Sequence, residues 1–258
     1  MDGLVANLIP YQVRLKVRGF LYSILGESVS KGYDNYAKKF KANSGKYLGD
    51  EWNEPEVIGF DVPPTQIVST LDQMIFTPFL GNPESILEIG SGGGRFTEVL
   101  IPKCRKLIAT DTSPNMMSLL RERFKTCSNL EYVVLDGKGL GPIPSKSVNA
   151  VFSYDVFNHL EQWDIYNYLT EIKRVLKPGG AAIVHYSNSF SELGWKRFLD
   201  DIPLQLNVPK VWGTLSFMTP EIFIEFISRA GLEHVETITN VVRRDAISLI
   251  RAPNSNAR

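Results

Sequence analysis

The chain has 258 residues, of which 43% are hydrophobic and 22% charged, the composition of a globular protein with a full core. Its 28 basic and 28 acidic residues cancel, which argues against nucleic acid as the main partner. Two cysteines and three histidines without ligand spacing exclude a disulfide framework and disfavour a structural zinc site, so no metal is predicted. No apolar run has the length of a membrane span and the start lacks a basic signal region, so a cytoplasmic protein is expected.

The first 62 residues predict a helical and irregular segment that helps to cover a cofactor or substrate. Residues 1–30 carry apolar side chains at helical spacing, interrupted at Pro10, with basic residues among them. A helix packed on the domain or on a second subunit is favoured; contact with a membrane or a lipidic substrate is the alternative. Residues 31–62 are rich in aromatic side chains, which suit either a pocket cover or a surface-docked segment.

Residues 63–258 predict one domain in which strands and helices alternate. An amphipathic helix is expected from Pro63 to about Leu80. Further helices are expected at 95–102, 114–125, 162–176 and 220–230, and strands at 85–90, 106–111, 131–136, 148–153 and 181–186. The strands are nearly continuous apolar runs, as in parallel sheets covered on both faces. With an antiparallel pair at 233–242 and 246–251, the pattern predicts an α/β, Rossmann-like, seven-stranded and mostly parallel sheet with an antiparallel last strand and helices on both faces.

A glycine-rich loop gives the most informative local pattern. The apolar run 86–89 ends in Gly90, Gly92 and Gly94, before a predicted helix. Glycine lets a ligand approach the backbone, and a helix N-terminus offers free N–H groups. Asp111 ends the next strand about 20 residues later, where an acid accepts hydrogen bonds from ribose hydroxyls in nucleotide-binding folds. The G-x-G-x-G spacing suits a cofactor without a pyrophosphate.

An aromatic insert, residues 187–219, separates the fifth strand from the last helix. It contains Trp195 and Trp212 and leaves the carboxyl end of a strand, where open α/β sheets place their ligands. A substrate lid is the favoured interpretation. A dimer-forming or purely structural insertion is the alternative, and the chain is expected to be a monomer or a homodimer.

These motifs together resemble the class I S-adenosylmethionine-dependent methyltransferase family over about residues 64–251, most closely its small-molecule O- and N-methyltransferases. The similar stretches are the glycine-rich first motif at 87–94, the acidic second motif at 111–117, the third-strand end at 135–137, the fourth motif at 152–160 and the turn before strand five at 174–180. The resemblance implies S-adenosylmethionine as cofactor and methyl transfer to an oxygen or nitrogen of a small-molecule acceptor.

The resemblance also implies which residues bind the cofactor. They are Glu88, Gly90, Ser91, Gly92, Gly94, Asp111, Thr112, Met116, Asp136, Gly137 and Ser153. Asp111 would accept both ribose hydroxyls, Asp136 would accept from the adenine amino group, and Glu88 would help to hold the ammonium. Arg95 would either reach the cofactor carboxylate or stand exposed in the first helical turn, and the exposed arginine is favoured.

Methyl transfer needs an in-line arrangement and, for a hydroxyl or ammonium acceptor, a base. His159 follows strand four and His185 ends strand five, so both are predicted at the carboxyl edge of the sheet. We favour His159 as the base. Each histidine has a structural alternative, and Tyr154 or Asp155 would serve if neither acts.

Three other functions share some of these features. An NAD(P)-dependent oxidoreductase has the glycine turn and the acid, but the glycine spacing and the elements at 136–137 and 178–180 argue against it. A non-catalytic S-adenosylmethionine-binding partner protein is disfavoured by the intact motifs and two available histidines. Nucleic-acid methylation is disfavoured because the chain lacks a base-flipping motif and a basic surface excess.

Overall fold

The computed structural model describes residues 29–40, 66–207 and 214–254. Its α-helices are α1 (Val29–Phe40), α2 (Ile67–Leu71), α3 (Thr77–Leu80), α4 (Thr97–Leu100), α5 (Pro114–Arg123), α6 (Gln162–Val175), α7 (Glu192–Asn207) and α8 (Pro220–Arg229). Its strands are β1 (Ser85–Ile89), β2 (Lys106–Asp111), β3 (Leu130–Val134), β4 (Val148–Ser153), β5 (Leu176–Ser187), β6 (Glu233–Ile238) and β7 (Asp245–Arg251). Within these residues, no helix is long and apolar enough to cross a membrane.

The strands form one seven-stranded sheet in the order β3-β2-β1-β4-β5-β7-β6. Strands β1 to β5 are parallel, and β7 runs antiparallel between β5 and β6. The predicted fold class is therefore confirmed. The order reverses between β1 and β4, and the crevice beyond the carboxyl ends of these two strands is where such sheets bind ligands.

Helices cover both faces of the sheet, as the continuous apolar strands predict. On one face α6 and α8 bury Leu169 and Phe223. On the other face α2 and α5 bury Leu71 and Leu120. Strand β7 lies inside the sheet, and every residue from Asp245 to Ile250 is buried.

Several predicted boundaries differ from the observed ones for local reasons. The first helix after the glycine loop stops at Leu100 and continues as a 3₁₀ turn, because Pro102 has no N–H for an α-helical hydrogen bond. Strand β5 begins at Leu176 rather than at 181, and its register against β4 shifts at the Pro178–Gly180 segment. The predicted helix from Pro63 is observed from Ile67, with a π-helical turn between α2 and α3; residues 63–65 lie outside the described part.

Candidate functional site

The glycine loop follows β1 at the crevice. A side chain on Gly90 would collide with Val156, and one on Gly94 would come within 2.5 Å of Phe124, so these two glycines are required by packing. A Cβ on Gly92, whose φ is +52°, would meet no atom within 4 Å. Gly92 therefore has open space beside it, where a ligand can approach the backbone.

Asp111 ends β2 and holds this loop through its carboxylate. Its Oδ2 accepts the Gly92 N–H at 3.0 Å, and its Oδ1 accepts the Ser113 N–H at 2.8 Å. Burial raises the pKa of Asp111 by more than these hydrogen bonds lower it. A carboxylate oxygen can accept more than one hydrogen bond, so ligand hydroxyls could use the lone pairs that these N–H groups leave free.

The residues predicted to surround the adenine lie next to Asp111. The Leu135 N–H donates to the Asp111 carbonyl at 2.9 Å, which holds the end of β3 beside the end of β2. Asp136 is exposed and its Oδ1 accepts the Lys138 N–H at 2.8 Å. A Cβ on Gly137 would contact Thr112, so these two residues line the same surface.

The two predicted serines point away from the crevice. The Ser91 hydroxyl donates to the Thr110 carbonyl at 3.4 Å, and the Ser153 hydroxyl donates to the Ile89 carbonyl at 3.2 Å. Both side chains are buried. Any contact that these residues make with a cofactor would therefore use their backbone groups.

Helix α1 lies across the beginning of α5. The Ser113 hydroxyl and the Asn115 N–H donate to Asp34 Oδ1 at 2.8 and 3.1 Å. Burial raises the pKa of Asp34, but these hydrogen bonds outweigh it and hold the pKa below its usual range. Met116 of α5 is buried against Ala37 of α1. Helix α1 thus packs over the segment that follows Asp111; the covering role of the N-terminal region stays a prediction.

Glu88 lies in β1 beneath the glycine loop and is 2% exposed. Its Oε2 accepts a hydrogen bond from the Thr97 hydroxyl at 2.6 Å. Burial raises the pKa of Glu88 to about 7, and the hydrogen bond from Thr97 opposes that rise only in part. The carboxyl group is therefore protonated in a large share of molecules near neutral pH, which a sequence pattern does not show.

We expect Glu88 to make the stability of the cofactor-free protein fall with pH. The pKa rises from 4.5 to about 7 on folding, so the stabilisation is fully present below about pH 4.5 and is lost as the pH rises through about 7. Glu88→Gln should remove this loss, roughly 2–3 kcal/mol in the free energy of unfolding. Urea titrations of both proteins at pH 5 and pH 8 measure it; the same pH dependence in both would contradict the prediction.

His159 lies in the 3₁₀ turn after β4 with both ring nitrogens engaged. Its Nδ1 is 3.0 Å from the Thr214 carbonyl, which can only accept, so Nδ1 carries the proton. Its Nε2 is 3.0 Å from the Tyr33 hydroxyl of α1, which therefore donates to the free lone pair. Burial lowers the pKa of His159, so the ring is neutral at physiological pH. The histidine joins α1 to the aromatic insert.

His185 is in a different environment. It is 1% exposed, and its ring stacks on Tyr154 with centroids 3.9 Å apart. Its Nδ1 accepts the Asp155 N–H at 3.2 Å, and its Nε2 lies 3.3 Å from Asp245 Oδ2. The structure does not bring the two histidines to one position: His159 faces the covering segments, whereas His185 is enclosed between two carboxylates.

The expectation of an exposed Arg95 is wrong. Its side chain is 10% exposed and forms an ion pair with Asp155. The guanidinium also lies 4.6 Å from the Phe96 ring centroid. Asp155 lies 60 positions away in the sequence and has a φ of +57°, and a sequence pattern reveals neither this conformation nor the ion pair.

The insert contains α7 and a returning segment. Met218 accepts the Ser189 N–H on its carbonyl at 2.8 Å, and Asp201 accepts the Leu215 N–H at 3.1 Å, so both ends of the insert are held together. Trp195 is 46% exposed. Trp212 lies outside the described residues, so the expectation that one of the two tryptophans faces the acceptor stays a prediction.

Tyr33 is a site residue that the sequence does not single out. It lies 126 positions from His159 and belongs to a segment with no motif. The one available signal was the frequency of aromatic residues in 31–62, which indicates a covering segment but not a partner for a particular histidine.

Comparison with known proteins finds a family match for part of the chain. Residues 87–184 match the family described as a methyltransferase domain. Malonyl-[acyl-carrier protein] O-methyltransferase from Marinomonas sp. (strain MWYL1) is 32% identical over 118 residues, 44% of this chain and 42% of that protein. "Probable ribosomal RNA small subunit methyltransferase A" from Methanosarcina mazei is 27% identical over 120 residues, 42% and 44% of the two chains. The chain thus spans less than half the length of these two curated relatives.

A solved structure gives the same fold. It is N-methyltransferase NodS from Bradyrhizobium japonicum WM9 in complex with S-adenosyl-L-homocysteine, with a TM-score of 0.59 and 19% identity, covering 86% of this chain and 99% of that one. S-adenosylmethionine is the cofactor of this family. The open side of Gly92 and the unused lone pairs of Asp111 fit a ligand with ribose hydroxyls. The comparisons thus relate residues 87–184 to methyltransferase domains and show that the fold is shared with a solved methyltransferase.

Proposed function

We propose that this protein transfers a methyl group from S-adenosylmethionine to an oxygen or nitrogen of a small-molecule acceptor. The observation that carries the proposal is His159, a neutral imidazole held between the Tyr33 hydroxyl and the Thr214 carbonyl. The backbone N–H of His159 donates to the Val156 carbonyl at 2.9 Å, and the Val156 side chain packs against Gly90. A candidate base and a candidate cofactor loop therefore follow the neighbouring strands β4 and β1.

Residues at the carboxyl ends of β1, β2 and β3 would bind the cofactor. Asp111 would accept the two ribose hydroxyls, and Asp136, Gly137, Thr112 and Met116 would surround the adenine. Gly92 and the backbone of the loop would approach the methionine part. When bound, the sulfonium supplies an activated methyl group, so positioning of the acceptor in line with it provides much of the rate.

The acceptor proton has a defined route. As the acceptor oxygen or nitrogen attacks, its proton passes to the Tyr33 oxygen while the Tyr33 proton passes to His159 Nε2. The Thr214 carbonyl then faces the Nδ1–H of the imidazolium and stabilises its charge. We assign the base role to His159 rather than to His185, because Asp155 N–H occupies the Nδ1 of His185 and that ring is 1% exposed.

Two segments would cover the acceptor. We propose that residues 1–62 cover the site from one side, through α1, and that the insert 187–219 acts as a lid from the other. Tyr33 and Thr214 contact the same histidine from these two segments. A base enclosed in this way suits a small acceptor better than a polynucleotide, although one relative is named for ribosomal RNA.

Binding measurements test the proposal. Isothermal titration of the purified chain should show binding of S-adenosylmethionine and S-adenosylhomocysteine and no binding of NAD, because the loop spacing leaves no place for a pyrophosphate. Binding of NAD alone would overturn the proposal and favour the oxidoreductase alternative. Methyl release from labelled cofactor with candidate acceptors then separates an enzyme from a cofactor-binding partner protein.

A further inference from the structure

Strand β3 forms one edge of the sheet, and its outer side is open. The register against β2 is continuous from Leu130 to Val134. The Asn129 carbonyl and the Leu135 N–H bond to β2. Successive residues of a strand turn their N–H and C=O groups to opposite sides, so Leu130, Tyr132 and Val134 turn theirs away from β2. Among the described residues, no hydrogen bond reaches these outward groups.

The two edges of the sheet differ in their protection against other strands. The other edge, β6, exposes Glu233 and Glu236, and its register against β7 shifts between His234 and Glu236. Exposed charges and irregular register are the means by which edge strands avoid pairing with other chains. The one charged side chain of β3 is Glu131, which forms an ion pair with Lys106 at 2.8 Å. Strand β3 is therefore the edge that is suited to pairing.

One face of β3 also lacks a covering helix. The connection from β3 to β4, residues 135–147, contains no helix. A groove remains on this face, lined by Ile108, Val133 and the segment 142–144, with other residues at its rim. At the end of the strand, Val134 is 45% exposed. The edge thus presents apolar side chains together with unpaired backbone groups.

The outward side of β3 is complementary to itself. We propose that two copies of this chain associate through their β3 strands, paired antiparallel about a two-fold axis at Tyr132. This register places Tyr132 opposite Tyr132 of the second copy, and Leu130 opposite Val134 in both directions. The three outward residues of each strand would exchange about six hydrogen bonds. Aromatic and aliphatic pairs of this kind stabilise neighbouring strands.

The charges beside the strand agree with self-pairing. In this register Glu131 of one copy faces Val133 of the other, so no like charges stand directly opposite each other. Glu131 keeps its ion pair with Lys106 of its own chain. On the opposite face, Arg121 lies 5.0 Å from the centroid of the Tyr132 ring, so each guanidinium would rest beside the aromatic pair at the axis. A register shifted along the strand would leave outward groups unpaired.

Self-association would join the two sheets into one. Because the two β3 strands run antiparallel, the crevices would lie at opposite edges of the joined sheet. Asp136 and Gly137 follow β3 directly, so the pairing would also fix the strand end that carries these two predicted cofactor residues. The assembly itself does not depend on the proposed methyl transfer.

Sedimentation velocity at protein concentrations from about 2 to 200 μM tests the proposal, because a dimer forms by mass action. The wild-type chain should change from monomer to dimer over this range. Val134→Lys places a charge opposite Leu130, and Val134→Pro removes an outward N–H that the β2 ladder does not use. Each should raise the dissociation constant of the dimer by at least about 10-fold. Circular dichroism and thermal melting of each variant establish that it is folded.

A matched variant on the other edge provides the control. Val235 of β6 is 52% exposed, close to the 45% of Val134. Val235→Lys should therefore leave the dissociation constant within about 3-fold of the wild-type value. A wild-type chain that stays monomeric at the highest concentration would overturn the proposal. So would a dimer that both Val134 variants leave unchanged.

Cross-linking tests the position of the two-fold axis. In a chain with Cys104 and Cys127 replaced by serine, Tyr132→Cys should form a covalent dimer on mild oxidation. The two Cα atoms at the axis would lie about 5.5 Å apart, within the range of a disulfide. Val134→Cys should not cross-link to itself, because its counterpart would lie about 14 Å further along the strand. The reverse result would show that another surface or register is used and that the proposal is wrong.

Discussion

Replacing His159 by alanine should lower the rate of methyl transfer by about 10²- to 10⁴-fold for an acceptor that must lose a proton. The physical reason is that the imidazole is the neutral, oriented base at the end of the proton route. Cofactor affinity should stay nearly unchanged, because His159 contacts Tyr33 and Thr214 rather than the cofactor loop. Single-turnover rates with saturating cofactor measure the effect.

The pH profile of the rate and a variant of Tyr33 provide two further tests of His159 as the base. Because burial lowers the pKa of His159, the wild-type rate should be retained as the pH falls past 6.5 and should decline only below that value. Tyr33→Phe removes the hydroxyl that donates to Nε2 and should slow transfer strongly with little effect on folding. Wild-type rates in both variants would show that positioning alone carries the reaction.

Asp111→Ala should weaken cofactor binding by about 2–4 kcal/mol, on the order of 30- to 1000-fold in dissociation constant. Two charge-assisted hydrogen bonds to ribose hydroxyls would be lost. The same carboxylate also holds the Gly92 and Ser113 N–H groups, so the loop itself should become less ordered. Titration calorimetry with S-adenosylhomocysteine measures the loss.

A second variant separates direct binding from loop order. Asp111→Asn keeps one carbonyl oxygen at the position and has nearly the same shape, so it should preserve part of the loop hydrogen bonding while losing the charge. We expect an affinity between those of the wild type and Asp111→Ala. An unchanged affinity in Asp111→Ala would place this residue outside the cofactor site.

The fold could be predicted because its signals are local. Apolar runs identify the strands, and the glycines after β1 and the acid at the end of β2 identify the crevice. Sequence position also places His159 correctly at the carboxyl end of β4. The cofactor roles assigned to the motif residues stay predictions.

The electrostatic details could not be predicted because they depend on groups far apart in the chain. Arg95 is paired rather than exposed because Asp155, 60 positions away in the chain, lies beside it. The raised pKa of Glu88 depends on complete burial under the loop. The hydrogen bond between Tyr33 and His159 joins positions 126 residues apart, and no periodicity indicates such a contact.

The position of β7 has a consequence for the order of assembly. The strand is late in the sequence, yet it separates β5 from β6 and supplies the carboxylate that faces His185. During synthesis, the earlier strands would emerge with the side of β5 unpaired, and an unpaired strand edge promotes association with other chains. The nascent polypeptide would therefore depend on its last strand both to complete the ion network and to escape aggregation.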